Sequence, residues 1–96
     1  MSSFGLPLTF RLEQNFPNPF NPETMIQFTI PVETFHKTSL QVYDILGREV
    51  ATLVNEVKPP GQYSVRWDGS HFASGTYLYR LNTGSYTETK RMLLVR

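Results

Sequence analysis

Apolar and polar residues alternate with a period of two in several segments of this chain. Successive side chains of a β-strand point to opposite faces of the sheet, so this alternation predicts strands with one buried face. No segment sustains the period of an amphipathic helix. The positions expected to face the core are Ile26, Phe28, Ile30, Leu40, Val42, Tyr63, Val65 and Trp67.

Glycine, proline and short polar stretches divide these segments from one another. Asp44-Ile45-Leu46-Gly47 predicts a tight hairpin turn in which Gly47 takes a positive φ. The carboxylates of Asp44 and Asp68 each precede a turn, where we expect them to accept hydrogen bonds from nearby amides. We predict six strands, at residues 25–30, 40–43, 48–54, 63–67, 76–82 and 86–95. A polar connection is expected at residues 55–61, and a further short strand is expected near Leu12.

Short strands at this spacing, separated by glycine and proline turns, are typical of a sandwich or a barrel. We predict an all-β, immunoglobulin-like two-sheet antiparallel sandwich of about seven strands. The 96 residues are enough for one domain. We place a linker or flexible arm at residues 1–11 and the domain at residues 12–96.

Residues 15–22 hold three prolines and cannot be helical, because each proline removes an amide donor and disfavours helical geometry in its predecessor. The same stretch contains Phe16 and Phe20. Two large aromatic side chains in a mobile linker would be an exposed apolar liability. We therefore expect an ordered loop that packs at least one of these rings against the sandwich.

Candidate chemistry is sparse. The chain has no cysteine, and its two histidines, His36 and His71, lie in predicted loops without the spacing of metal ligands. Its serines lack a nucleophile elbow, and no phosphate-binding glycine motif is present. We predict that the chain is not an enzyme and that it has no catalytic, cofactor-binding or metal-binding residue.

Charge and hydropathy limit the partners. A net charge of +1 argues against a nucleic-acid groove, and no stretch is long and apolar enough for a transmembrane segment. The first residues, from Met1 to Leu6, lack the basic and apolar regions of a signal peptide. The protein is therefore expected to be either cytoplasmic or a fragment of a longer precursor.

The C-terminus is unusual because Lys90, Arg91 and Arg96 flank the apolar run at residues 92–95. One interpretation is a last strand buried on both faces with snorkelling basic groups. The other is a terminal tag that a receptor binds through main-chain pairing and basic contacts. The aromatic residues leave a third interpretation open, a glycan-stacking platform, although the parity of Trp67 favours core packing and Tyr43 is the better candidate for exposure.

Five segments of the chain together form a known pattern. They are LEQNFPNPFNP (residues 12–22), VYDILGREV (42–50), WDG (67–69), ASGTYLYR (73–80) and TKRMLLVR (89–96). On these segments the chain resembles the type A C-terminal sorting domains of the Bacteroidetes type IX secretion system, over about residues 12–96. The middle segments also resemble the immunoglobulin-like domain of hook-capping proteins.

The resemblance implies a non-catalytic domain that directs a larger secreted protein through the outer membrane. Its implied partners are the outer-membrane type IX translocon, shuttle and sortase components, together with an N-terminal cargo domain in the same precursor. The implied localisation is secreted or cell-surface, by way of the periplasm, and the domain is removed at the surface in many members. The resemblance favours a fragment of a longer precursor.

The resemblance also assigns recognition residues, which are Pro17, Asn18, Pro19, Gly75, Tyr77, Lys90, Arg91 and Arg96. Members often end in lysine, whereas this chain ends in Arg96, which keeps the charge but changes the hydrogen-bond geometry. The alternative function is a structural accessory module, hook-cap-like or attached to an enzyme. Glycan binding is the weaker alternative.

Overall fold

The computed structural model describes residues 9–31 and 36–96, and it contains strands but no helix within these ranges. The short strand expected near Leu12 is present. The strands are β1 (Arg11–Leu12), β2 (Glu23–Ile30), β3 (His36–Asp44), β4 (Glu49–Lys58), β5 (Gly61–Asp68), β6 (Gly75–Asn82) and β7 (Thr87–Leu94).

The strands form two sheets in which every neighbouring pair is antiparallel. The first sheet has the order β1-β2-β5, and the second has the order β4-β3-β6-β7. Each sheet turns one apolar face inward, and the two faces make a single core. The prediction of an all-β antiparallel sandwich is confirmed.

The core follows the alternation in the sequence. Of the eight positions expected to be buried, six are less than 5% exposed, and Tyr63 and Val65 are half-buried against them. Trp67 is the centre of an aromatic group, with its ring 5.8 Å from that of Phe20 and 5.5 Å from that of Tyr77. Phe20 is buried whereas Phe16 is 79% exposed, so one ring of the proline-rich loop packs against the sandwich as expected.

Two expectations about the strands were wrong. The polar connection at residues 55–61 does not exist, because β4 continues to Lys58 and only Pro59 and Pro60 separate it from β5. β4 is an edge strand in which Val54 alone is fully buried, so its polar residues remain in the sheet with their side chains in solvent. The extended β4 also pairs with the beginning of β3. His36 therefore lies in β3, opposite Lys58, and not in a loop.

The last strand is not buried on both faces. Met92 and Leu94 are buried, whereas Leu93 and Val95 are 40% and 44% exposed. The apolar run at residues 92–95 therefore contributes two side chains to the core and presents two to solvent. β7 is also an edge strand, since among the described residues β6 is its only neighbour in the sheet.

Candidate functional site

The proline-rich loop at residues 15–22, here called the proline loop, lies along the free edge of β7. The amide of Phe20 donates to the Leu93 carbonyl at 3.0 Å, and the amide of Val95 donates to the Phe20 carbonyl at 2.9 Å. The amide of Leu93 donates to Oδ1 of Asn18 at 2.9 Å. The loop thus supplies the hydrogen-bond partners that an edge strand would otherwise lack.

We call residues 91–96 the C-terminal segment. Its first carbonyl, that of Arg91, accepts a hydrogen bond of 2.7 Å from Nε2 of Gln14. Gln14 directly precedes the proline loop, so the cover extends over the whole outer edge from Arg91 to Val95. A receptor strand could pair with this part of β7 only after the proline loop had moved away.

Asn15 holds the beginning of the proline loop. Its side chain is 2% exposed, and its Nδ2 donates to Oγ1 of Thr24 at 3.0 Å and to the Pro17 carbonyl at 3.2 Å. The hydroxyl of Thr24 donates to that same carbonyl at 2.9 Å. A buried amide with its donors satisfied fixes the conformation of the surrounding backbone.

Tyr79 connects this anchor to the second sheet. Its hydroxyl donates to the Glu13 carbonyl at 2.7 Å and accepts from the Asn15 amide at 2.8 Å. Burial of the phenol disfavours its ionised form and raises the pKa of Tyr79 to about 12. The side chain therefore stays a neutral donor and acceptor at physiological pH.

Arg96 fastens the other end of the C-terminal segment. Its Nη1 donates to the carbonyls of Ser70 and Phe72, both at 2.6 Å, and to that of Gly69 at 3.3 Å. The Arg96 amide also donates to Oγ of Ser74 at 3.0 Å. A guanidinium supplies several donors from one planar group, which suits a turn whose carbonyls converge.

The turn that receives Arg96 also touches the proline loop. The Gly69 amide donates to the Pro22 carbonyl at 2.8 Å. A Cβ at Gly69 would lie 3.1 Å from Cδ2 of Leu94, so a larger residue would push against β7. Proline loop, turn and C-terminal segment are therefore packed as one unit.

Pro17, Asn18 and Pro19 are exposed members of that unit. Gly75 and Tyr77 form a Gly-x-Tyr motif at the start of β6, where Gly75 is half-buried and Tyr77 is buried. Tyr77 is 7% exposed, and its hydroxyl donates to the Ala73 carbonyl at 2.7 Å. Gly75 has a φ of 148°, which residues with a Cβ rarely adopt. In the folded domain this motif shapes the start of β6.

The three basic groups point in different directions. Lys90 is half-buried and pairs with Glu88 at 3.3 Å, whereas Arg96 is bound by the turn at residues 69–72. Arg91 is exposed opposite Leu78, on the solvent face of the second sheet. The hydroxyl of Tyr86, followed by the Lys90 ammonium, holds the pKa of Glu88 below its usual value.

The part of the chain that the structure describes was also compared with a metal site, a membrane-spanning helix and an exposed aromatic platform. It contains no group of three or more histidine or acidic side chains able to hold a metal ion. No helix there is long and apolar enough to cross a membrane. Trp67, Tyr77 and Tyr79 are buried, and Tyr43 is half-buried beneath Arg80, so these aromatic residues do not form an exposed platform.

Sequence reasoning missed several residues that build the site. Gln14 and Asn15 were considered only as part of a motif, and Phe20 only as a packing ring, although each holds the C-terminal segment or the loop that covers it. The available signal was the placement of amide side chains beside prolines, since such residues often satisfy loop backbone groups. The carbonyls at residues 69–72 had no signal in the sequence, because every residue has a backbone acceptor. The Ser74 hydroxyl had none either, because its donor, the Arg96 amide, is a backbone group far along the chain.

Comparisons with known proteins agree with this architecture. The profile of a family described as "Secretion system C-terminal sorting domain" matches residues 14–95. A solved structure of PorZ, an essential surface component of the type IX secretion system of Porphyromonas gingivalis, superposes with a TM-score of 0.60 at 20% sequence identity. The match covers 86% of this chain but 11% of PorZ. A search of curated proteins found no match.

The chain therefore belongs to the family of secretion-system C-terminal sorting domains. Such a domain is a non-catalytic signal for type IX secretion, carried by a larger precursor that is exported to the cell surface or beyond. The likeness to PorZ shows the sandwich fold. The recognition residues of the signal are a separate question, which the geometry of the C-terminal segment addresses.

Proposed function

We propose that the secretion machinery recognises this domain in its folded form, through the surface that the proline loop and the C-terminal segment build together. The observation that carries the proposal is the set of hydrogen bonds between β7 and three residues at or beside the proline loop, Gln14, Asn18 and Phe20. They join the opening and closing motifs of the family, which lie at opposite ends of the sequence, into one surface. One receptor surface can therefore contact both motifs at the same time.

The contacts to the receptor are side-chain contacts. The main-chain groups at Leu93 and Val95 are already paired with the proline loop, so they are not available for strand addition. Exposed Pro17, Asn18, Pro19 and Arg91 supply the contact surface. Arg96 keeps that surface in place through the turn at residues 69–72, whereas Lys90 pairs with Glu88 on the same strand.

The partners are the outer-membrane translocon and its shuttle component, which receive the precursor from the periplasm. The cargo precedes the domain, and a surface sortase removes the domain after passage. Arg91 contributes charge complementarity, which mainly increases the rate and specificity of encounter. The inert sandwich core has no part in the chemistry of the cargo.

The test is a reporter cargo fused to residues 1–96 and expressed in a bacterium with type IX machinery. Three fusions are compared with the parent: Arg91→Ala, the double change Lys90→Ala with Arg96→Ala, and a deletion of residues 90–96. We expect the surface-exposed fraction of the reporter to fall in all three. Reporter activity in lysed cells should be unchanged.

Lys37→Ala is the matched control. Lys37 is an exposed basic residue at the start of β3, where its Nζ donates to Oδ1 of Asn55 at 3.0 Å, and it is not part of the proline loop or the C-terminal segment. Its loss should leave export at the parent level. Because the deletion also removes buried Met92 and Leu94, thermal unfolding of each isolated domain separates misfolding from lost recognition. Equal export by folded Arg91→Ala and by the parent would contradict the assignment of Arg91.

A further inference from the structure

The hairpin turn between β3 and β4 carries two large apolar side chains in solvent. Ile45 and Leu46 are 69% and 73% exposed. They occupy the central positions of a tight turn, where asparagine, aspartate, glycine, serine and proline are favoured. Burial in the core does not explain these side chains, and neither does turn chemistry.

The turn is rigid. The Gly47 amide donates to the Asp44 carbonyl at 3.0 Å, and Gly47 has a φ of 86°. Oδ1 of Asp44 accepts from the amides of Leu46 and Arg48 at 2.9 Å and 3.0 Å, and Oδ2 accepts from Nε of Arg48 at 2.8 Å. This network fixes the backbone, so the two apolar side chains project from an ordered support.

The turn also lies at a defined end of the sandwich. Asp44 pairs with Tyr77, and Gly75 pairs with Leu94, which puts the hairpin turn at the same end of the second sheet as Ser74 and Arg96. Phe10, the point at which the described chain enters the domain, stacks on Tyr86 at the opposite end, with ring centroids 4.8 Å apart. The eight residues of β6 separate the two ends by about 25 Å.

The charges at the turn distinguish two kinds of partner. Asp44 and Glu49 carry two carboxylates against the one guanidinium of Arg48. Anionic lipid surfaces attract basic residues and repel such a turn. A protein pocket, in contrast, gains from rigid apolar anchors that fill it.

We propose that Ile45 and Leu46 insert into an apolar pocket of a secretion-machinery protein, as an anchor separate from the C-terminal segment. This inference rests on the proposed function, because it names a second contact used in the same recognition. The described chain enters the domain at the far end, where Phe10 stacks on Tyr86, so the turn lies away from that entry. The receptor would then contact two neighbouring features at one end of the domain.

The test replaces both apolar side chains in the reporter fusion, Ile45→Ser with Leu46→Ser, since serine is favoured in turns. We expect the surface-exposed fraction of the reporter to fall by about tenfold or more, because two buried apolar contacts are lost. Thermal unfolding should be unchanged, since neither side chain is buried. Val57→Ser, at a 57% exposed position on β4, is the matched control and should export normally.

The outcomes separate this inference from the proposed function. Export of the parent fusion together with equal export of the serine variant overturns the hairpin anchor and leaves the proposed function standing. Failure of the parent fusion to reach the surface overturns both. Binding of the purified chain to vesicles of anionic phospholipid that is lost in the serine variant overturns the protein-pocket proposal in favour of a lipid surface.

Discussion

Oδ1 of Asn18 accepts a hydrogen bond from the backbone amide of Leu93 at 2.9 Å, across 75 positions of sequence. Asn18 lies in the motif that opens the family pattern, and Leu93 lies in the motif that closes it. The bond caps an edge-strand amide that would otherwise be free to pair with another chain. The covered edge and the proposed recognition surface are therefore one structure.

Replacement of Asn18 tests this relationship. Asn18→Ala removes the acceptor of the Leu93 amide, and we expect a loss of about 1 kcal/mol in the free energy of unfolding, the usual contribution of one such bond. Urea unfolding measures it. Asn21→Ala, at an exposed position of the same loop, is the control and should have little effect. Equal stability of the two variants would show that the Asn18 bond is not needed to hold the loop.

Trp67 is the largest side chain in the core that both sheets share. Its ring lies within 6 Å of those of Phe20, Phe72 and Tyr77, and it is 4% exposed. We expect Trp67→Ala to lower the free energy of unfolding by about 3–5 kcal/mol, the range for large aromatic residues in cores. Chemical denaturation followed by circular dichroism measures this, and a loss below about 1 kcal/mol would contradict the packing.

Tyr79 gives a pH-dependent prediction. Tyr79→Phe loses the hydrogen bonds to Glu13 and Asn15, and we expect the free energy of unfolding to fall by about 1–3 kcal/mol at pH 8. The folded pKa of Tyr79 is raised from 10.0 to about 12, so its stabilising effect is complete below pH 10 and is lost as the pH rises towards 12.

The difference in unfolding free energy between the parent and Tyr79→Phe should therefore shrink from pH 8 to pH 11. Urea unfolding at both values measures it. The pKa of Tyr86 is also raised to about 12, mainly by burial, but Tyr86 is present in both proteins and cancels in the comparison. A difference that stays constant or grows with pH would contradict the assignment to Tyr79.

Arg96 gives a local prediction. Arg96→Ala removes the bonds to the Ser70 and Phe72 carbonyls, and we expect faster hydrogen exchange at the Val95 amide, which pairs with Phe20. The free energy of global unfolding should fall by about 1 kcal/mol or less, because the side chain is exposed. Arg96→Lys should protect the Val95 amide only in part, since an ammonium lacks the planar fork. Unchanged exchange in Arg96→Ala would show that the side chain does not hold the segment.

The sequence was sufficient for the interior of the sandwich. Ile26, Phe28 and Ile30 show their buried parity directly, because a one-residue slip would put them all in solvent. The turn at Asp44 was also predictable, since an aspartate and a glycine at this spacing have specific backbone roles. Both features depend on residues that are close together in the sequence.

The edges and the site could not be predicted in the same way. β4 extends through Asn55 and Glu56 because an edge strand is held by its one neighbour and need not bury side chains. The contact between the proline loop and β7 is long-range and uses backbone groups, which leave no period in the sequence. The alternation of Tyr77 with Leu78 predicts that Tyr77 is buried, although the resemblance assigns it as a recognition residue.

The central claim is that the secretion machinery contacts the covered edge of β7. The direct measurement is photo-crosslinking in cells with type IX machinery, from a photoreactive residue placed at Arg91, at Leu93 or, as the reference, at Val57. All three positions have exposed side chains. The account predicts crosslinks to outer-membrane components from Arg91 and Leu93, and none from Val57. Export of all three proteins with crosslinks from Val57 alone would contradict it.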